Sequence, residues 1–107
     1  MYILDSDHIG ILQRKRGFEF DRILSRISAV GETNIFVTII SFHEQEVLPY
    51  STASSDIFED IKKQKIRIAT MDLRIASIVI AQRMVLVTRN TIDFERVPNL
   101  NFEDWSL

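Results

Sequence analysis

The chain has 107 residues, of which 46% are hydrophobic and 26% charged, the composition of a single soluble globular domain. Its net charge of −2 excludes a domain that is held to nucleic acid by overall positive charge. Cysteine is absent, which excludes disulfide scaffolds, thiol nucleophiles and thiolate metal sites. No apolar run reaches the ~18 residues that a membrane-spanning helix needs.

The first predicted elements are a strand and a short helix. Residues 1–4 form an apolar run that ends at Asp5, which predicts a buried strand. Asp7 is placed to cap a helix over about 8–13, because a short acidic side chain can accept from the free amides of a first turn. The basic triplet 14–16 suits the carboxyl-terminal end of that helix, where the dipole favours positive charge.

A second helix and the strongest strand follow. Apolar residues at helical spacing predict an amphipathic helix over 18–30, with Gly31 as its stop. Residues 35–40 are β-branched and apolar, which predicts a strand. Because this hydrophobicity is nearly continuous, we expect the strand to be buried on both faces, as in a parallel sheet.

The second half of the chain continues the alternation. It predicts helices over about 54–64 and 72–83, and the second is apolar on nearly every side, which is typical of a central buried helix. A strand over 85–88, a short helical piece over 92–96 and an edge strand over 100–102 follow. This order predicts an α/β architecture with a mostly parallel sheet flanked by helices.

Acidic and amide side chains follow three of the predicted strands or begin the buried helix. They are Asp5, Glu44, Asn90 and Asp93 after the strands, and Asp72 at the helix start. Because the carboxyl ends of parallel strands meet at one edge of a sheet, we expect these groups to lie together. Carboxylates crowded in this way repel one another, and a hard divalent cation such as Mg²⁺ or Mn²⁺ would neutralise them.

Each acid also has a purely structural interpretation. Asp72 is placed to cap its helix, Glu44 to be solvent exposed, and Asp93 to pair with a neighbouring arginine. Asp5 is harder to explain by packing, since an acid directly after a core strand is an unusual choice. The prediction of a metal site therefore depends on the agreement of these acids in position.

The other polar features favour structural roles. His8 and His43 lack partners at metal-ligand spacing and are predicted to be structural or surface residues, and Trp105 to hold the carboxyl-terminal tail in place. Two basic groups are predicted to be solvated helix ends, namely 14–16 and the set Lys62, Lys63, Lys65 and Arg67. No signal-peptide pattern begins the chain, so a cytoplasmic location without membrane contact is expected.

Four segments resemble the motifs of PIN-domain proteins, in particular the VapC-type toxins of bacterial toxin–antitoxin pairs. They are YILDSDHI at 2–9, SFHE at 41–44, MDLRIA at 71–76 and LVTRNTIDF at 86–94. The similarity covers nearly the whole chain, and the last two motifs together are the most specific part of it.

The resemblance implies a PIN-like fold and a Mg²⁺- or Mn²⁺-dependent endoribonuclease that acts on RNA without a covalent enzyme intermediate. It also implies a homodimer and a small antitoxin partner. Carried over by position, the catalytic and metal-binding acids would be Asp5, Glu44, Asp72 and Asp93, assisted by Asn90, with Ser6 as a further candidate.

The chain departs from the family pattern after its second predicted strand. Only 41–46 separates Ile40 from the short apolar pair Val47 and Leu48, whereas a parallel crossover needs about a dozen residues or more. We therefore expect one shortened PIN-like domain over 1–107 that lacks the family's helical pair at this point.

Three arrangements would accommodate the shortening. The short strand is lost, the segment from Glu46 onward swaps into a second subunit, or a tight oligomer covers the exposed apolar surface. All three predict a homodimer or higher oligomer, and all three leave Glu44 at a changed junction.

Two other functions stay open at this stage. The first is a catalytically inactive PIN remnant that acts as a protein-binding or oligomeric module. The second is a HAD-type phosphohydrolase, which the acid pair Asp5 and Asp7 suggests, although Ile9 stands where that family has a hydroxyl residue or valine.

Overall fold

Four short strands in a computed structural model, which describes residues 1–37 and 52–107, form a fully parallel sheet. The order is β2-β1-β3-β4, and the register pairs Tyr2 with both Ile35 and Val85. The strands are β1 (Tyr2–Leu4), β2 (Ile35–Val37), β3 (Val85–Val87) and β4 (Phe102–Glu103). The α/β class with a mostly parallel sheet is thus confirmed.

Helices connect the strands on both faces of the sheet. The described ranges contain α1 (Ser6–Arg14), α2 (Phe18–Val30), α3 (Thr52–Lys63), α4 (Thr70–Ala81) and α5 (Thr91–Phe94), with a 3-10 turn at Glu32–Asn34 before β2. None of these helices is long and apolar enough to cross a membrane. The predictions over 18–30, 54–64, 72–83 and 92–96 are confirmed as helices, with ends shifted by up to two residues.

The two faces of the sheet have separate cores because successive strand residues point to opposite sides. Ile3 and Leu86 face α3, α4 and α5, where α4 is buried along most of its length. Leu4 and Val87 face α1 and α2, and Trp105 closes that side. The near-continuous hydrophobicity of β1 and β3 therefore reflects burial on both faces.

Strand β2 differs from this prediction. It lies at the edge of the described sheet, and the side chain of Val37 is 40% exposed, so burial on both faces was wrong for this strand. The edge strand predicted over 100–102 begins two residues later, at Phe102, and does lie at the opposite edge.

Both predicted helix caps were also wrong. Helix α1 begins at Ser6, and its N-cap is Asp5, whose Oδ1 accepts from the Ser6 amide at 2.8 Å. Asp7 lies inside the first turn, where its carboxylate is free to contact other parts of the chain. The N-cap of α4 is Ala69, so Asp72 also lies in a first turn rather than at a cap.

Several predictions lie outside the described residues. These are the end of the 35–40 strand, the predicted site residue Glu44, His43, the short strand at Val47 and Leu48, and the missing helical pair.

Candidate acidic site

The carboxyl ends of β1 and β3 place Asp5 and Thr88 side by side. Each residue directly follows its strand, and the two strands are neighbours in the sheet. The Asp5 amide donates to the Val87 carbonyl at 2.8 Å, and the Thr88 hydroxyl donates to Asp5 Oδ2 at 2.9 Å. Both side chains are buried, with Asp5 only 7% exposed. The acid that followed the first core strand is therefore held in a fixed position.

Asp7 joins the same hydroxyl from the first turn of α1. Its Oδ2 lies 3.3 Å from Thr88 Oγ1 and accepts from the Arg89 amide at 3.0 Å. Because a hydroxyl has one proton, Thr88 can donate to Asp5 or to Asp7 at any moment. Its oxygen also accepts from the Asn90 amide at 3.1 Å. Thr88 is thus the residue through which the two amino-terminal acids contact the segment after β3.

A fully buried histidine connects this network to the carboxyl-terminal tail. His8 Nε2 accepts from the Trp105 amide at 3.1 Å, so the ring proton belongs on Nδ1, which donates to Asp7 Oδ1 at 2.8 Å. Asp104 Oδ1 is 3.5 Å from Nε2 and accepts instead from the amide and hydroxyl of Ser106. His8 is therefore a structural residue, as predicted, and Trp105 holds the tail as predicted.

Asp93 lies on α5, close to the end of β3. Asn90 Nδ2 donates to Asp93 Oδ2 at 3.1 Å, and Arg96 Nη1 lies 3.6 Å from Oδ1. The arginine partner expected for Asp93 is confirmed, but both groups of the pair are well exposed, so water weakens the attraction. Asn90 has the more specific effect, because its amide fixes the orientation of one carboxylate oxygen.

The acids share one electrostatic field. Burial raises the pKa of Asp72, and the negative charges of Asp5, Asp93 and Asp7 raise it further. Burial also raises the pKa of Asp5, against the effect of its hydrogen bonds from Thr88 and Ser6. Burial opposes ionisation of Asp7 too, but hydrogen bonds from His8 and the Arg89 amide outweigh it and lower its pKa. The structure thus gathers four aspartates from separate parts of the chain.

The chemistry of this donor set suits Mg²⁺ or Mn²⁺, which prefer carboxylate and amide oxygens. Within 1–37 and 52–107, however, no three acidic or histidine side chains are placed so that they could together hold a metal ion. Glu44 lies outside these ranges. The ligand set Asp5, Glu44, Asp72 and Asp93 therefore stays a prediction, as does the assisting role of Asn90 and Ser6.

The local sequence does not predict the contacts of three residues in this network. It predicts Asp7 as a helix cap, gives no buried partner for His8 and places Thr88 only in a strand. One signal was available for Thr88, since a hydroxyl residue that ends a buried strand beside an acidic segment needs a polar partner.

Replacing the Thr88 hydroxyl tests its linking role. We expect Thr88→Val to lower the free energy of unfolding by about 1–3 kcal/mol, because Asp5 Oδ2 loses a donor and the Asn90 amide loses an acceptor in a buried setting. Thr88→Ser keeps the hydroxyl and should recover most of the loss, as measured by urea denaturation. Equal stability of the valine and serine variants would contradict this role.

Known proteins resemble this chain in part of its sequence or in its fold. No protein-family model matches the chain. Ribonuclease VapC2 of Rickettsia felis is 41% identical over 46 residues, which span 43% of this chain and only 34% of that relative.

Solved structures match over nearly the whole length. VapBC-1 from nontypeable Haemophilus influenzae matches with a TM-score of 0.78 and 23% identity, covering 99% of this chain and 98% of the matched one. VapBC2 from Rickettsia felis, bound to a DNA fragment from its promoter, gives 0.68 and 21% with 97% and 98% covered. FitAcB from Neisseria gonorrhoeae gives 0.75 and 17% with both chains fully covered.

Proposed function

We propose that this chain, a VapC-like PIN-domain protein by its fold, is a metal-dependent endoribonuclease that hydrolyses RNA phosphodiesters. The observation that carries the proposal is the convergence of acids at the end of β3. Asp5 and Asp7 share the Thr88 hydroxyl, and Asn90 connects that hydroxyl to Asp93. Burial raises the pKa of Asp72, and the charges of the other three acids raise it further. Such a cluster is unfavourable unless a cation neutralises it. The local identity to a named ribonuclease supports the choice of reaction.

The proposed ligands are Asp5, Asp72, Asp93 and Glu44, which are taken from the resemblance of their segments. Because no three of the acids within 1–37 and 52–107 are placed to hold one ion together, the proposal requires that a bound cation draws these side chains closer. When bound, a divalent cation supplies Lewis-acid stabilisation of the phosphodiester and activates a water molecule for attack. Asp7 is not proposed as a ligand, because the resemblance does not include it among the metal-binding acids; its two oxygens accept from the His8 ring and the Arg89 amide.

The chain's own residues prepare this site. Ser6 and Thr88 hold the two oxygens of Asp5 by donating to Oδ1 and Oδ2 respectively. Asn90 orients Asp93 through its side-chain amide. Groups fixed in this way need little reorganisation when charge develops on phosphate oxygens during the reaction. Cysteine is absent, and water is the proposed nucleophile, so no covalent enzyme intermediate is needed.

We also propose a small antitoxin as a partner and a homodimer or higher oligomer as the solution state. The antitoxin is supported by the neighbouring structures, which are VapBC-1, VapBC2 and FitAcB, with VapBC2 bound to a DNA fragment. The oligomer rests on the shortened segment after the second strand. Light scattering of the purified chain, with and without Mn²⁺, measures this state, and a monomer at all concentrations would contradict it.

Metal removal tests the proposed reaction. The purified chain should cleave single-stranded RNA in Mn²⁺ or Mg²⁺, lose this activity in EDTA and recover it when Mn²⁺ is restored. The reason is that the carboxylates repel the phosphodiester unless a cation neutralises the negative charge of both. The exposed Asp21→Asn variant is a matched control that should cleave like the unmodified chain. Absence of cleavage in either metal would overturn the proposal and favour the binding-module alternative.

A further inference from the structure

We propose that the turn between α1 and α2 binds single-stranded RNA beside the acidic site, with Arg14 and Arg16 contacting phosphates and Phe18 stacking on a base. The inference rests on the proposed function and deepens it, because it names the form of RNA that the site accepts. We call this surface the α1–α2 turn; it comprises residues 14–18.

The backbone of the turn brings cations and an aromatic ring to one groove. Helix α1 ends at Arg14, Lys15 adopts a left-handed conformation with φ of 56°, and Gly17 has φ of 101°, which favours glycine. These dihedrals reverse the chain, so that α2 starts at once with Phe18. A groove of about 550 Å³ results, lined by Ile11, Arg14, Arg16, Gly17, Phe18 and Glu19.

The fold does not use these side chains. Phe18 is 81% exposed, whereas the buried contact of α2 is made by Ile23. The three basic residues are exposed, and none makes an ion pair with any residue of 1–37 or 52–107. The helix dipole accounts for a cation at Arg14 but gives no reason for an exposed aromatic ring.

A chain of contacts connects the groove to the acidic site. Glu19 on its rim pairs with Arg89, with 3.6 Å between Oε2 and Nη1. The amide of the same Arg89 donates to Asp7 Oδ2 at 3.0 Å. A strand of RNA that leaves the acidic site in this direction would therefore pass Arg89 and enter the α1–α2 turn.

The negative charge of the acidic site favours a basic surface beside it. Four aspartates repel a phosphodiester, and the net charge of the chain is −2, so a polyanion must be held by cations placed locally. A protruding phenylalanine face accepts an unstacked base, which a duplex does not offer. Cations and an aromatic face in one groove therefore favour single-stranded RNA over a duplex and over an acidic protein segment.

The second basic group provides a matched control. Lys62 and Lys63 are exposed at the end of α3, which packs on the opposite face of the sheet from α1 and α2. Replacing them removes the same charge from the opposite face of the sheet.

The test is fluorescence anisotropy of a labelled unstructured oligoribonucleotide in EDTA, where binding is measured without cleavage. We expect Phe18→Ala to weaken binding about tenfold and Phe18→Trp to preserve it. The double variant Arg14→Gln/Arg16→Gln should lower the slope of log affinity against log salt by about 1.4, since each lost phosphate contact on a single strand contributes about 0.7. Lys62→Gln/Lys63→Gln should leave that slope unchanged.

Three results would overturn the inference. In the first, Phe18→Ala and the double arginine variant bind RNA as tightly as the unmodified chain. In the second, a duplex of the same sequence binds as tightly as the single strand, and in the third, an acidic peptide binds where RNA does not. Cleavage in Mn²⁺ is measured separately on the same variants. If the unmodified chain cleaves RNA while the variants bind RNA normally, only the proposed RNA-binding role of the α1–α2 turn is contradicted. If the expected binding pattern is seen without any cleavage, the RNA-binding role is supported and the proposed nuclease reaction is contradicted.

Discussion

Asp72→Asn should lower RNA cleavage by at least about a hundredfold and, in the same protein without metal, raise the melting temperature by about 2–4 °C. Both effects have one cause. The carboxylate of Asp72 is a proposed metal ligand, yet burial and the charges of Asp5, Asp93 and Asp7 disfavour its ionised form. Without a cation, a neutral amide removes that repulsion.

The pH dependence follows from the direction of the pKa shift. Asp72 has a pKa above 3.8 in the folded chain, so it binds its proton more tightly there than in the unfolded chain. Its contribution to stability is present below the unfolded pKa and is lost as pH rises through the folded pKa. Asp5 acts in the same direction, whereas Asp7, whose pKa is lowered, stabilises at higher pH and loses this effect as pH falls.

Thermal denaturation in EDTA at about pH 4 and about pH 7 measures this difference. The gain from Asp72→Asn should be larger at the higher pH, because a larger fraction of the native carboxylate is ionised there. Added Mn²⁺ should raise the melting temperature of the unmodified chain more than that of the variant. Asp60→Asn on the exposed side of α3 is the control, and it should change neither quantity.

A variant that is inactive but less stable than the unmodified chain in EDTA would contradict the shared-field interpretation. So would a variant that keeps normal cleavage, since that result removes Asp72 from the proposed ligands.

Local sequence signals predict the limits of an element correctly where residues at both of its ends favour a stop. Helix α2 runs over Phe18–Val30 as predicted, because its apolar spacing is regular and glycines with positive φ flank both ends, at Gly17 and Gly31. The position of β2 was not predictable in this way. Burial of a strand depends on which strands lie beside it, and the order β2-β1-β3-β4 is set by packing across the whole chain.

The same distinction between local and long-range signals applies to the acidic site. Asp5, Asp72 and Asp93 could be chosen from the sequence because each lies just after a predicted strand or at the start of a buried helix. The contacts of Thr88 and His8 could not, because their partners are 83 and 97 residues away in the chain. The pairing of β1 with β3 brings Thr88 to Asp5, and the pairing of β3 with β4 brings Trp105 to His8.

Removing the ring of His8 should produce a large loss of stability. We expect His8→Ala to lower the free energy of unfolding by about 3–5 kcal/mol, since it leaves a cavity and removes a partner from Asp7 and from the Trp105 amide. Chemical denaturation measures this loss. Trp105 is the only tryptophan, so its fluorescence reports separately on whether the tail stays in place.

Two isosteric replacements divide the roles of the ring. In His8→Asn the side-chain amide nitrogen can take the place of Nδ1 and donate to Asp7, while the Trp105 amide loses its acceptor. In His8→Gln the amide oxygen can take the place of Nε2 and keep the Trp105 contact, while Asp7 loses its donor. Tryptophan fluorescence should therefore change in the asparagine variant and stay native in the glutamine variant.

RNA cleavage should respond in the opposite order if the histidine acts on the acidic site through Asp7. The asparagine variant, which still holds Asp7, should retain more activity than the glutamine variant, even though its tail is released. Equal activity in the two variants would mean that His8 stabilises the fold without positioning the acids. Because the two readouts move in opposite directions, a general loss of folding cannot reproduce the expected pattern.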